Sequence, residues 1–114
     1  MKKILVIQVF FIIVLVSLSD HIYAQLLRNF PIDSKLGELT EFTFPKVEIS
    51  DEVMYLGVGL QIRDSNNHIL PPNIVNKTGS IRYQLDAMGY VYRIWFLTSE
   101  EADLAEEQED YDAD

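Results

Sequence analysis

The sequence predicts a mainly β protein, either a small antiparallel sheet or a compact barrel, with a short C-terminal helix and a disordered acidic tail. Three observations support this class. Apolar and polar residues alternate in short runs between residues 38 and 99, as half-buried strands require. Clusters of Gly, Pro, Asn and Asp separate those runs and are typical of turns. A helix-capping pattern and a run of carboxylates follow the last alternating run.

Residues 1–24 are predicted to be a cleaved signal peptide. Lys2 and Lys3 precede residues 4–16, which are apolar except for Gln8, and Ala24 supplies the small residue at the cleavage point. An uncleaved anchor and a buried N-terminal strand are the alternatives. The anchor is disfavoured because a bilayer core of about 30 Å needs about 20 apolar residues. We therefore expect a periplasmic or secreted protein that touches the membrane only through this segment before cleavage.

The remaining chain is long enough for one small domain. We divide it into a lead-in segment (residues 25–37), a small β domain (38–99) and an acidic tail (100–114). Residues 25–99 carry seven basic and eight acidic side chains, whereas residues 100–114 carry nine acidic side chains and no basic one. This segregation indicates an appended tail. Nucleic-acid binding is disfavoured because no basic stripe is present, and the absence of cysteine excludes disulfides.

The elements of the β domain follow in order along the chain. Leu39, Phe42 and Phe44 alternate with polar residues up to Pro45 and predict the first strand. Gly57 and Gly59 indicate a tight turn or a bulge. The other predicted strands are Val47–Ile49, Val53–Leu56, Leu60–Arg63 and the short return strand His68–Leu70.

The clearest unit is a β-hairpin formed by Ile81–Leu85 and Tyr90–Leu97. Asp86 and Gly89 occupy the first and last positions of a turn that ends in a glycine bulge. Asp86 then faces Tyr90, and the residues facing each other farther along are Leu85 and Val91, Tyr83 and Arg93, and Ile81 and Trp95. The second strand is apolar on its other face as well, which predicts a central strand covered on both sides.

A helix is predicted to begin just after this hairpin. Thr98 and Glu101 have the spacing of a capping box. We expect a short helix that frays into residues 106–114, where the density of carboxylates favours disorder.

The sequence contains no convincing catalytic or metal-binding constellation. Ser65, His68 and Asp64 include the residue types of a hydrolytic triad but lie within one turn, without the strained elbow that such a nucleophile needs. The same loop begins like a calcium loop, yet Ile69 and Val75 stand where glycine and glutamate are required. We expect no enzyme activity and no cofactor, and we interpret His68 as a surface residue of a turn.

Arg63 with Asp64 and the hairpin residues have the character of a binding surface, and we predict partner binding by three of the hairpin residues, Arg82, Arg93 and Trp95. Tryptophan and arginine are common anchors of protein interfaces, and they interact with each other through cation–π contacts. The alternative is that Trp95 and Tyr83 belong to the core and that Arg93 extends along them.

Residues 62–67, 82–86 and 93–98 resemble small exported proteins of Gram-negative bacteria that have no assigned activity, and the resemblance covers residues 53–101. It implies a periplasmic address and no catalytic residues. We expect a non-enzymatic interaction or accessory module that contacts another envelope protein. The alternative is a small-ligand or divalent-metal-handling protein that uses residues 64–68 and the acidic tail. An enzyme is the third and weakest interpretation.

Overall fold

A computed structural model describes residues 3–13 and 27–113 of the chain. Residues 3–13 form helix α1, whose side chains are exposed. Within these two ranges, no helix combines the length and the hydropathy needed to cross a bilayer. The predicted cleavage point after Ala24 lies outside the described residues, so the signal peptide stays a prediction.

Six strands and a second helix follow, as a mainly β class requires. Their bounds are β1 (Lys35–Thr43), β2 (Lys46–Ile49), β3 (Glu52–Arg63), β4 (Ile69–Leu70), β5 (Gly79–Leu85), β6 (Val91–Phe96) and α2 (Ser99–Ala113), with a 3-10 helix at Pro72–Ile74 between β4 and β5. The structure thus confirms a mainly β protein with a C-terminal helix.

The strands form one mixed sheet in the order β2-β1-β5-β6-β3-β4, and β2 also pairs with β3. All pairs are antiparallel except β3–β6, which is parallel. The predicted antiparallel sheet is thus correct for five of the six strand pairs and wrong for β3–β6, which makes the sheet mixed. The alternative of a compact barrel is wrong. The chain reverses twice between β3 and β6, so these two strands run in the same direction. Alternating hydrophobicity reveals strands but not the neighbour that each strand will pair with.

Strand β3 joins two segments that the sequence analysis treated as separate strands. Gly57 and Gly59 do not end the strand but accompany an irregularity in the β3–β6 pairing between Leu56 and Gln61. Gly59 has a φ of 76°, a conformation that glycine adopts without strain. Of the two predicted alternatives, turn or bulge, the bulge is correct.

The core lies on the inner face of the sheet. Ile94 of β6 is 1 % exposed and pairs with Tyr83 of β5 and Ile62 of β3, both of which are buried. The other large side chains that are fully buried are Leu39, Ile49, Ile81, Val47 and Val91. Strand β6 is therefore central, as predicted, because β5 and β3 flank it.

Helix α2 begins at the predicted place and continues to Ala113. The hydroxyl of Thr98 accepts the N–H of Glu101, and the carboxylate of Glu101 accepts the N–H of Thr98 at 3.0 Å, which confirms the capping box. The helix is longer than the short helix predicted. The disorder of the acidic tail stays a prediction.

Candidate functional site

The predicted binding residues lie together on the outer face of the sheet. Trp95 in β6 has Arg82 of β5 and Arg63 of β3 as its register partners. Arg93 lies on the same face, two residues before Trp95, between two glutamines of the same two strands. Paired residues of neighbouring strands share a face. We call these four residues the arginine–tryptophan face. Arg63 has binding character in the sequence but is not one of the three residues predicted to bind the partner.

The hairpin turn that supports this face is the predicted one. The N–H of Asp86 donates to the carbonyl of Tyr90 at 2.8 Å, and Gly89 has a φ of 86°. One carboxylate oxygen of Asp86 accepts the N–H groups of Met88 and Tyr90, each at 2.9 Å. Asp86 is therefore a cap of the turn, held by its own backbone neighbours.

The register beyond the turn differs from the prediction. Leu85 pairs with Val91 as expected, but a bulge then shifts the pairing by one residue. Tyr83 consequently pairs with Ile94 and not with Arg93. A one-residue shift moves side chains to the opposite face. It removes Arg93 from the core side and places it on the face that carries Arg82.

The three arginines of this face are oriented by backbone carbonyls. Arg82 donates to Ser34 at 3.3 Å, Arg93 to Gly59 and Tyr92 at 2.8 Å each, and Arg63 to Asn67 at 2.8 Å. Within the described ranges, none of the three lies within ion-pair distance of a carboxylate. Their positive charges are thus held in place but not neutralised.

The lead-in segment partly covers this face. We call residues 27–34 the strap. The ring of Phe30 meets Trp95 edge to face, with centroids 5.8 Å apart, and the guanidiniums of Arg28 and Arg82 lie 5.1 and 6.0 Å from its centre. Trp95 is half-buried as a result. The alternative interpretation placed both Trp95 and Tyr83 in the core. It is correct for Tyr83, which is buried on the inner face, and wrong for Trp95, which lies on the outer face.

A buried ion pair fastens the strap to α2. Arg28 donates to both carboxylate oxygens of Glu101, at 3.0 and 2.7 Å, and the side chains are 14 % and 4 % exposed. Arg28 also donates to the carbonyl oxygens of Phe96 at 2.7 Å and Asp64 at 3.0 Å. This one side chain connects the strap, the end of β6, the loop after β3 and the helix.

The charge state of Glu101 depends on this pairing. Burial alone would raise the pKa of Glu101, but hydrogen bonds from Arg28 and from the N–H of Thr98 stabilise the carboxylate and leave the pKa below its ordinary value. The sequence pattern predicts the capping role of Glu101 but not its pairing with Arg28. The two residues are 73 positions apart, and no local pattern connects them.

We expect the contribution of Glu101 to stability to disappear in acid. Because folding lowers the pKa of Glu101, the contribution is complete above its ordinary value of 4.5 and is lost as the pH falls through the folded value. The free energy of unfolding of wild type should exceed that of Glu101→Gln at pH 7, and the gap should shrink below pH 4.5. Urea unfolding of both chains across this range measures it. A gap that does not change with pH would contradict the assignment.

The loop after β3 is a closed turn. One carboxylate oxygen of Asp64 accepts the N–H groups of His68 at 2.8 Å and Asn66 at 3.0 Å. The hydrogen bond from the His68 N–H is the main cause that lowers the pKa of Asp64. The His68 side chain is 78 % exposed. No three His, Cys, Asp or Glu side chains of the described part are grouped closely enough to hold a metal ion.

Comparison of the chain with protein-family models, curated proteins and solved structures finds no match in any of the three. The resemblance to small exported proteins therefore stays a prediction.

Proposed function

We propose that this chain is an exported, non-enzymatic interaction protein whose arginine–tryptophan face contacts another protein of the cell envelope. The observation that carries the proposal is the arrangement of Arg63, Arg82 and Arg93 around Trp95. The three guanidiniums are oriented by carbonyls and, in the described ranges, have no carboxylate partner.

The chemistry of this face favours an acidic partner. Guanidiniums bind carboxylates through strong, charge-assisted hydrogen bonds, and a half-buried tryptophan among them offers the apolar area that interface anchors need. Because hydrogen bonds to carbonyls already orient the arginines, binding costs less side-chain entropy. A periplasmic address is part of the proposal and rests on the apolar segment between Lys3 and Ala24.

The competing proposal, a protein that handles metal or a small ligand through residues 64–68, has less support. One oxygen of the Asp64 carboxylate is already occupied by two backbone N–H groups. A metal ion would have to compete with the hydrogen bonds that shape the loop.

Affinity capture from the envelope fraction tests the proposal. The wild-type chain should retain a defined protein at low salt and release it at high salt, because electrostatic contacts are screened. Arg93→Ala and Trp95→Ala should each reduce the retained amount at least about tenfold, as expected for anchor residues worth more than 1.4 kcal/mol.

A matched control separates this face from the rest of the surface. Lys46 is exposed and lies over the ring of Tyr55 on β2 and β3, away from the arginine–tryptophan face. Lys46→Ala should retain the same partner at wild-type yield. Equal retention by wild type, Arg93→Ala and Trp95→Ala, with all chains shown to be folded by circular dichroism, would refute the proposed surface.

A further inference from the structure

Beyond its first turn, helix α2 lacks the interactions that normally stabilise a helix. Among its described side chains only Glu101 and Ala105 are buried, and it has no continuous apolar face. It carries no basic residue, so it has no ion pairs of its own, and acidic residues such as Asp110 and Asp112 lie at the end where the helix dipole disfavours them. A polar helix of this kind is marginal in water unless something covers it.

The exposed side of α2 has two parallel stripes. Asp103, Glu107 and Asp110 follow the spacing i, i+4, i+7 and therefore share one face. Leu104 and Tyr111 lie beside them, one residue farther along, and are 49 % and 84 % exposed. The helix thus presents carboxylates next to apolar groups.

The arginine–tryptophan face is complementary to these stripes in charge and in dimension. Arg82 and Arg63 are two strands apart, which corresponds to about 10 Å. Asp103 and Asp110 are seven residues apart on a helix, which also corresponds to about 10 Å. Trp95 lies between the two arginines with the ring of Phe30 against it, and both rings are half-buried, so Leu104 and Tyr111 would meet the part that stays exposed.

We propose that the chain self-associates, with α2 of one copy bound across the arginine–tryptophan face of a second copy. This inference rests on the proposed function and names the acidic partner of that face. Two copies that exchange helices reciprocally satisfy both faces and close the assembly as a dimer.

The helix does not satisfy the face of its own chain. Glu109 and Asp112 of α2 line a groove of about 540 Å³, together with residues of the strap and Arg82. No ion pair joins Arg82 to α2 in the described part of the chain. The Arg28–Glu101 pair holds the start of α2 in place. The acidic stripe of α2 is exposed and can therefore contact a second molecule.

Sedimentation of the full mature chain at about 0.01 M and about 1 M salt tests the inference. Since the screening length falls from about 30 Å to about 3 Å, the mass should be that of a dimer at low salt and of a monomer at high salt. Trp95 is the only tryptophan, so its fluorescence should change with protein concentration as the face becomes covered.

Charge reversal supplies the decisive variants. Arg63→Glu with Arg93→Glu should give a monomer, and so should Asp103→Lys with Glu107→Lys and Asp110→Lys. An equimolar mixture of the two variants should form a dimer again, because each face then meets a helix of opposite charge. Lys46→Glu, which reverses a charge away from the face, should leave the dimer unchanged.

Three results would overturn the inference: a monomer at every concentration in low salt, a dimer that survives the face reversal, or a Trp95 signal that depends on salt but not on protein concentration. The third would mean that the helix folds back onto its own face. None of them bears on capture of a different envelope protein by the same arginines. If the chain is a monomer and Arg93→Ala no longer retains the captured partner, the self-association is refuted and the proposed function stands.

Discussion

Replacement of Arg28 with alanine is expected to lower the free energy of unfolding by about 3–5 kcal/mol, because it leaves a buried carboxylate without its countercharge. Glu101 is 4 % exposed and would keep only two backbone donors, the N–H of Thr98 at 3.0 Å and the N–H of residue 28 at 3.4 Å. The carbonyl groups of Phe96 and Asp64 would also lose a donor. Urea unfolding at pH 7, followed by circular dichroism, measures the loss.

A double-mutant cycle identifies how much of that loss belongs to the pair. Arg28→Ala with Glu101→Ala should be less damaging than the sum of the two single changes, because removing both charges leaves neither one buried alone. Arg63→Ala is the matched control, since its guanidinium donates to a single backbone carbonyl in the described part. An Arg28→Ala chain as stable as Arg63→Ala would show that the strap is not held by this ion pair.

Truncation of Ile94 to alanine is expected to destabilise the domain by about 2–5 kcal/mol. Ile94 is 1 % exposed and lies in the central strand between Tyr83 and Ile62. Both of its neighbouring strands would therefore border the cavity left by the lost methyl groups. Since small domains have total stabilities of about 5–15 kcal/mol, the variant should melt far below wild type.

The comparison with an exposed isoleucine separates burial from the chemistry of the substitution. Ile74, in the 3-10 helix, is 55 % exposed, and Ile74→Ala should cost well under half as much. Ile94→Val removes one methylene and should cost about 1 kcal/mol, which keeps the chain folded for measurement. Equal losses at positions 94 and 74 would contradict the placement of Ile94 at the centre of the core.

Local features of the fold were predictable from the sequence. The hairpin turn at Asp86–Gly89 and the capping box at Thr98–Glu101 depend on residues within five positions of each other, and both were predicted correctly. The central position of β6 was also predictable, because a strand with apolar residues on both faces needs cover on both sides.

Features that depend on distant residues were not predictable. The parallel β3–β6 pair joins strands about 30 residues apart, and the Arg28–Glu101 pair spans 73 positions. The bulge after Leu85 left no separate signal, although it decides that Arg93 and Trp95 share a face with Arg82. The predicted binding residues Arg82, Arg93 and Trp95 are thus brought together, and their role in binding stays a proposal.

The position of β6 in the sheet also determines when the chain can fold. Strand β6 is the last strand to leave the ribosome, yet β5 and β3 both pair with it. A nascent chain that ends before Val91 has no strand to place between β3 and β5. Because such non-local pairing must wait for the end of synthesis, the emerging polypeptide stays unpaired at its centre until the residues of β6 have been added.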